Sequence, residues 1–330
     1  MNILLDPAIL FFILGVSAGL LRSNLEVPPP LSRFLSLYLL MALGLKGGFA
    51  LSQTGMNAAV LAALGCAVLL AILIPLLDWQ FLKRALPPLD AIGVAATYGS
   101  VSAVTFVTAA HILDSQGNPG GGYMAAAMAL MESPAIVLAL VGAQWARNQA
   151  QAPQDFGAAI LVIGSGPRPP IGSVLREALT DGGTVLLVGA LFVGLVSGPA
   201  GAKAMQPFTG DLFKGLLAFF LLDMGLLTAR QMAGLRSLPA SLFAYALLGP
   251  VVHAVLALGL ARMAGVGTQD ATLLAVLAAS ASYIAVPAVL RHAIPEARPA
   301  VYIGLSLGVT FPFNLLVGIP LYQWMAGIVI

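Results

Sequence analysis

Two short stretches of small and hydroxyl-bearing residues lie inside long apolar segments of this chain. Residues 98–105 read YGSVSAVT, and residues 279–287 read ASASYIAVP. Gly99 in the first stretch lowers helix propensity. Pro287 in the second has no amide hydrogen and clashes with the preceding turn of a helix. The sequence therefore predicts that a helix is broken in each stretch.

Such breaks have the chemistry of a small-ion site. Freed backbone amides and serine hydroxyls, together with the positive end of a half-helix, favour an anion. Freed carbonyl and hydroxyl oxygens are hard ligands, so Ser102 and Ser282 are the candidate ligands of a sodium ion. The alternative is that small residues only allow helices to pack closely. Two matched stretches favour a site over close packing alone.

Two carboxylates inside apolar segments are candidates for an ion-binding or gating role, because ionisable residues in a membrane are usually functional. Glu132 lies beside Ser133 and Pro134, where we expect a further helix break. The alternative for Glu132 is a carboxylate that caps the broken helix. Asp223 follows two leucines, and its alternative role is that of a carboxylate satisfied within the helix bundle.

Thr310 and Asn314 flank a proline, Pro312, at which we also expect a break. Both are candidates for ion binding or gating, with the Asn314 amide lining the site. His111 and His253 are far apart in the sequence, so a paired metal site is not predicted.

The composition excludes a soluble protein. Of 330 residues, 59% are hydrophobic and 8% are charged, whereas soluble domains carry about 25% charge. The mean hydropathy is +0.97, and the apolar runs are too long for the strands of a β-barrel. A net charge of +2 offers no basic patch for nucleic acid, and the single Cys66 excludes an intrachain disulfide. The GxSxG, HExxH and Walker A motifs are missing, which argues against an enzyme and against ATP-driven transport.

We expect an all-α integral membrane protein with ten membrane spans, because each span needs about 20 apolar residues. The predicted spans are 6–22, 34–53, 57–77, 89–112, 121–145, 182–200, 212–229, 239–261, 269–291 and 301–328. The connection 146–181 contains four prolines and ends in residues 171–181, which have the mixed composition of a helix lying at the membrane interface.

The basic residues predict the orientation of the chain. With ten spans, 11 of the 15 lysines and arginines fall on one side and 4 on the other. Because basic loops stay in the cytoplasm, both termini should face outward and the connector 146–181 should be cytoplasmic.

The two halves of the chain, 1–145 and 182–330, resemble each other. Asp90 pairs with Asp270, and SVS at 100–102 pairs with SAS at 280–282, each 180 residues apart. LMALGL at 40–45 pairs with LLDMGL at 221–226, and ESP at 132–134 pairs with TFP at 310–312. Since each half holds five spans, the second copy would lie upside down, which gives the 5+5 inverted repeat with broken core helices that is typical of secondary transporters.

At these motifs the chain resembles the sodium-dependent bicarbonate permease family. The matching segments are YGSVS at 98–102, MESPAI at 131–136, SASYIAVP at 280–287 and TFPFN at 310–314. The resemblance covers nearly all ten spans. It implies five plus five inverted spans in a core and a gate domain, a homotrimer, and bicarbonate between the two broken helices with sodium beside it.

The resemblance assigns substrate-binding residues in both stretches. They are Gly99, Ser100, Val101, Ser102 and Thr105 in the first stretch, and Ser280, Ala281 and Ser282 in the second. Tyr283, next to the second serine motif, is a further candidate for substrate binding. It stands where the better-known bicarbonate carriers have an acidic residue. Some members of the family are shut by a PII-like protein docking on the cytoplasmic face. The connector of this chain is shorter than theirs.

The sequence thus favours a sodium-dependent bicarbonate symporter of the bacterial inner membrane, with no cofactor besides the coupling ion. One alternative is a carrier of another small anion or a proton-coupled carrier. The other is a non-transporting membrane receptor for a PII-like signalling protein.

Overall fold

The computed structural model describes residues 5–150, 182–235 and 238–330, and every regular element in these ranges is helical. The helices are α1 (Pro7–Leu20), α2 (Pro29–Thr54), α3 (Ala58–Leu82), α4 (Pro88–Gly99), α5 (Ala103–Ser115), α6 (Met124–Ala150), α7 (Gly182–Gln206), α8 (Leu212–Gly234), α9 (Ala240–Met263), α10 (Thr268–Ala279), α11 (Ala285–Ala293) and α12 (Pro299–Val329). A π-helical turn, Pro207–Asp211, joins α7 to α8. The predicted interfacial helix at 171–181 lies outside the described residues.

The described residues contain 8 helices that are long and apolar enough to cross a membrane, one of which is α4 and α5 taken together. Two shorter apolar helices, α1 and α10, fall in the predicted first and ninth spans. Many large apolar side chains on these helices are exposed, as lipid contact requires. The chain is therefore a multi-pass membrane protein, as predicted.

The two predicted interruptions are confirmed. Helix α4 ends at Gly99 and α5 begins at Ala103, while α10 ends at Ala279 and α11 begins at Ala285. Pro287 does not itself end a helix. It lies in the first turn of α11, where proline is tolerated because first-turn amides have no acceptor within the helix.

The two further breaks predicted at proline are wrong. Helix α6 continues through Pro134, as α3 does through Pro75. Helix α12 continues through Pro312, but it widens into π-helical turns at Ser306–Thr310 and Asn314–Gly318. A π turn shifts the hydrogen-bond register by one residue, which lets a helix absorb a missing proline donor without breaking.

Four helices, α1, α2, α7 and α8, pack chiefly with one another, and we call them the four-helix group. The strongest contacts are α1 with α8 and α2 with α7. The remaining eight helices, α3 to α6 and α9 to α12, form the eight-helix group, which contains both interruptions.

Two glycine crossings in the four-helix group are built in the same way. A Cβ on Gly225 of α8 would lie 2.3 Å from the Phe12 carbonyl oxygen of α1. A Cβ on Gly48 of α2 would lie 2.1 Å from the Leu191 carbonyl oxygen of α7. These distances force glycine at both crossings.

The facing glycines match as well. A Cβ on Gly15 would lie 2.2 Å from Leu222 O, and one on Gly194 would lie 2.5 Å from Leu45 O. A Cβ on Gly44, one turn before Gly48, would lie 2.5 Å from Leu187 O of α7. Two successive turns of α2 therefore meet the backbone of α7 through glycine.

A matched pair of aspartates anchors two helix starts in the eight-helix group. Asp90 at the start of α4 accepts hydrogen bonds from the backbone amide and the guanidinium of Arg298, both at 2.8 Å, just before α12. Asp270 at the start of α10 accepts from the Gly121 amide and the Tyr123 hydroxyl, just before α6. Each interrupted helix is thus fixed at its outer end to a loop from the other half of the chain.

Candidate functional site

The two interruptions meet inside the eight-helix group. The amide of Ser102 donates to the hydroxyl of Ser280 at 2.8 Å. The amide of Ser282 donates to the carbonyl of Thr97 at 2.8 Å. The two stretches are 180 residues apart in sequence, so these reciprocal bonds form a crossing that only the fold creates.

After each interruption, a serine hydroxyl accepts a hydrogen bond from a first-turn amide of the half-helix that follows. Ser102 caps α5, because its hydroxyl accepts from the amide of Thr105 at 3.2 Å and from the Thr105 hydroxyl at 3.0 Å. Ser282 accepts from the amide of Val286 in α11 at 3.2 Å. The positive ends of two half-helices therefore lie at the crossing, with further first-turn amides that have no acceptor within their own helix.

The other candidates in the two stretches support the crossing. Ser100 donates to the carbonyl of Glu132 at 3.2 Å, and Ser280 donates to the carbonyl of Leu277 at 2.8 Å. Val101 and Ala281 are buried apolar residues beside these serines. All nine predicted substrate-binding residues are buried, so this conformation is closed to solvent at the crossing.

Gly99 has a packing role that the sequence did not reveal. A Cβ at this position would lie 2.5 Å from the ring of Pro75 in α3. The glycine therefore lets the end of α4 approach the proline that α3 carries in its interior.

Tyr283 lies at the crossing with a buried hydroxyl. Its ring packs against Phe311 of α12 with centroids 5.2 Å apart. Its hydroxyl lies beside the side chain of Ser102. Tyr283 therefore places a hydroxyl beside the cap of α5.

Helix α12 holds the crossing through two polar side chains. Asn314 donates from its amide to the carbonyl of Ala279, the last residue of α10, at 2.8 Å, and it accepts from Tyr322 at 2.8 Å. Thr310 donates to the carbonyl of Ala246 at 2.7 Å and therefore accepts from Tyr98, at 2.6 Å. Both predicted residues thus contact residues of the interrupted helices or their neighbours.

The two predicted carboxylates face the boundary between the helix groups. Glu132 of α6 accepts from the Thr184 hydroxyl of α7 at 3.0 Å. Asp223 of α8 accepts from the Ser32 hydroxyl of α2 and lies within electrostatic range of Tyr283. Asp223 is therefore the acidic group that the four-helix group presents toward the crossing.

The oxygens of the crossing differ in their capacity to bind a sodium ion. A hydroxyl oxygen has two acceptor positions, and both are occupied in Ser102 by Thr105. Ser282 accepts one recorded bond and keeps a second position. In this conformation Ser282 fits a sodium ligand better than Ser102 does. The described residues contain no group of three or more histidine, cysteine or acidic side chains suited to a transition metal.

Sequence reasoning missed one buried pair. Asp78 of α3 and His253 of α9 lie 2.9 Å apart, between Oδ1 and Nε2. Both residues lie in apolar helices, where polar side chains are noticeable in the sequence. The contact between them could not be predicted from the sequence.

A polytopic helical protein with two interrupted helices crossing at a buried polar centre has the construction of a membrane transporter. Residues 7–327 match the Na+-dependent bicarbonate transporter superfamily, nearly the whole chain. The chain belongs to this superfamily, which confirms the resemblance read from the serine motifs and implies transport rather than catalysis. No protein with a curated description matches the chain.

Proposed function

We propose that the chain is a secondary active transporter that imports bicarbonate together with sodium across the bacterial inner membrane. The observation that carries this proposal is the buried crossing of two interrupted helices. The amino-terminal ends of two half-helices, each bonded by a serine hydroxyl, meet there. Membership of the superfamily indicates bicarbonate as the substrate.

The crossing suits a small monoanion. Bicarbonate needs several hydrogen-bond donors within a few ångströms, and first-turn amides of α5 and α11 supply donors with partial positive charge. The Tyr283 hydroxyl, beside Ser102, adds a further donor.

The oxygen atoms around Ser282 support the proposal of sodium coupling. The open acceptor position of Ser282 and the nearby carboxylate of Asp223 are the groups we assign to the ion. This chain has tyrosine where the better-known carriers have an acid next to the second serine motif. Asp223, from the facing helix group, would supply the negative charge in its place.

Alternating access would move the eight-helix group against the four-helix group. We propose ten spans in a 5+5 inverted repeat, with the eight-helix group as the core and the four-helix group as the gate. The matched glycine crossings and the matched Asp90 and Asp270 anchors support this symmetry. We further propose that the protein forms a homotrimer and that a PII-like protein controls it by binding to the basic cytoplasmic face. These two proposals rest on the family resemblance alone.

Uptake of labelled bicarbonate into proteoliposomes tests the function. We expect uptake that depends on an inward sodium gradient at fixed pH and fixed membrane potential. Potassium in place of sodium is the control for ionic strength. Folded, monodisperse protein that takes up no bicarbonate under either gradient would contradict the proposal.

A proton-coupled carrier, or a carrier of another small anion, is the second candidate, and the boundary position of Glu132 favours testing it. In a sodium symporter with a structural Glu132, Glu132→Gln should keep its sodium response. A Glu132→Gln variant that loses dependence on a proton gradient would favour proton coupling.

The third candidate is a receptor that transports nothing. It would be favoured if the protein showed no anion flux and if the 146–181 connector captured a PII-like protein.

A further inference from the structure

Charged side chains join the two helix groups at the far end of α5. Lys46 of α2 lies 3.3 Å from Asp114 near the end of α5, between Nζ and Oδ2. Asp6 at the start of α1 lies 3.5 Å from His111 of α5, between Oδ2 and Nε2. In each pair one residue comes from the four-helix group and the other from α5 of the eight-helix group. We call these two pairs the α5 latch.

The α5 latch differs from the other ion pairs in the described ranges. Each of those joins residues of a single helix group. They are Arg147 with Glu296, Arg298 with Asp90, Asp78 with His253 and Arg230 with Glu26. A movement of one group against the other leaves these four pairs intact and breaks the α5 latch.

Helix α5 connects the latch to the substrate site. It begins at the crossing, where Ser102 caps it, and it ends at Ser115, so it is about 20 Å long. His111 and Asp114 are three residues apart and therefore lie on the same face of the helix. Since α5 is one continuous helix, a shift at the latch also moves the serine cap at the crossing.

The partners of α5 are bound to the four-helix group. The Lys46 ammonium lies 4.8 Å from the centre of the Phe213 ring at the start of α8, which is a favourable cation–π distance. Asp6 accepts from the amide of Ala8 at 2.9 Å and caps α1. Both residues therefore stay with the four-helix group when α5 moves.

The backbone of α2 contacts the eight-helix group beside the latch. A Cβ on Gly47, next to Lys46, would lie 2.8 Å from the carbonyl oxygen of Gly122. A Cβ on Gly122 would lie 2.4 Å from the Ala50 side chain of α2. This loop is the one that Asp270 of α10 anchors. Both interrupted helices are thus connected to the surface against which α2 closes.

The α5 latch is weak enough to open. The Lys46 and Asp114 side chains are 35% and 43% exposed, and an exposed ion pair changes an equilibrium by up to about fivefold. The side chains of Asp6 and His111 are more buried. Two such pairs favour the closed contact without making it permanent.

We propose that the α5 latch closes the substrate site on one side of the membrane and opens whenever the site faces that side. Under the predicted orientation this side is the outside, because the latch lies toward the end of the molecule where α1 begins and α2 ends. The role in transport rests on the function proposed above, whereas the opening of the contact itself does not.

Pulsed EPR measures the opening without any transport. Spin labels at Gln53→Cys of α2 and Ser115→Cys of α5, in a Cys66→Ala background, report the separation of the two groups beside the latch. We expect a shorter and a longer distance. Lys46→Glu should raise the ratio of longer to shorter by about fivefold, because it replaces attraction to Asp114 by repulsion. The swapped variant Lys46→Glu/Asp114→Lys should recover the original ratio.

Reversible cross-linking tests the role in transport. Lys46→Cys and Asp114→Cys, in the Cys66→Ala background, are joined by a short bifunctional thiosulfonate reagent. We expect the cross-link to abolish bicarbonate uptake and reduction to restore it. The matched control joins Arg147→Cys to Glu296→Cys, a pair within the eight-helix group, and should leave uptake unchanged.

A single distance that Lys46→Glu does not alter, or full uptake with Lys46→Cys and Asp114→Cys joined, would overturn the inference. If Lys46→Glu does not fold, Lys46→Gln, which removes the attraction without adding repulsion, takes its place in the distance measurement. Two distances in a protein that transports no bicarbonate before cross-linking would refute the proposed function and leave the opening of the latch established.

Discussion

At the scale of single residues, the serines of the two interruptions combine two duties. The Ser102 hydroxyl caps α5, and the Ser282 hydroxyl accepts from a first-turn amide of α11. The amide of each serine also bonds the opposite stretch at 2.8 Å. An alanine substitution keeps the amide bond and removes the cap, so it separates the hydroxyl chemistry from the backbone crossing.

Ser102→Ala and Ser282→Ala should therefore abolish bicarbonate uptake while membrane insertion stays normal. Loss of a helix cap costs about 1 kcal/mol, which a protein of this size tolerates. Ser115→Ala, which removes a hydroxyl bonded only to the end of its own helix, is the control. Normal bicarbonate uptake by both variants would show that the hydroxyls of these serines do not bind the substrate.

Tyr283 allows a sharper test of substrate contact. Ser102 is the polar side chain beside its hydroxyl, so Tyr283→Phe removes the hydroxyl and leaves the cap that Ser102 provides for Thr105 in place. A hydrogen bond to a charged group contributes about 1.5–3 kcal/mol, so KM for bicarbonate should rise by roughly 10- to 100-fold. Tyr302→Phe removes another buried hydroxyl, away from the crossing, and should leave KM unchanged. Equal KM values in the two variants would show that Tyr283 does not touch the substrate.

At the scale of helices, backbone contact across glycine fixes the four-helix group. The Cβ positions of Gly48 and Gly225 would lie 2.1 Å and 2.3 Å from carbonyl oxygens of the facing helices. Helices at this distance pack through their backbones, as small residues in membrane helices permit. The four-helix group is therefore sensitive to a single methyl group at these positions.

Gly225→Ala should lower the Tm of the solubilised protein by forcing α1 and α8 apart, at a cost of about 1–3 kcal/mol for overpacking. Gly215→Ala, in the same helix, meets no atom within 4 Å and should raise or preserve Tm. Circular dichroism or a thermal-shift assay measures both. Equal Tm values for the two variants would contradict the close crossing.

At the scale of the whole molecule, charge and symmetry together predict one orientation in the membrane. The basic residues divide 11 to 4 between the two sides when the chain crosses ten times. The eight long helices account for eight of the ten predicted spans. The first span would be α1, and the ninth would be the interrupted pair α10 and α11. Orientation therefore tests the ten-span arrangement directly.

Single cysteines in a Cys66→Ala background provide that test. Gln53→Cys, at the exposed end of α2, should react with an impermeant maleimide from outside intact cells. Arg84→Cys, after α3, should react only after the membrane is opened, because its basic loop should be cytoplasmic. The reverse pattern would invert the orientation, and labelling of both residues from outside would contradict the number of spans between them.

The sequence by itself determined the class of protein, the helical fold and the positions of the interruptions. Apolar runs of about 20 residues admit only membrane helices, and small residues such as Gly99 weaken a helix wherever it lies. The serine motifs at 100–102 and 280–282 were sufficient to point to the family, which residues 7–327 then match.

Only the tertiary structure decided which residues meet. It showed that Pro134 and Pro312 leave their helices continuous, and that π-helical turns on both sides of Pro312 absorb the missing donor there. It showed that Gly44 and Gly48 both bring α2 against the backbone of α7, which the leucine and glycine pattern alone did not reveal. It also brought Asp78 to His253 across 175 residues. Contacts between separate helices depend on their rotation and tilt, which the apolar pattern of each helix leaves undetermined.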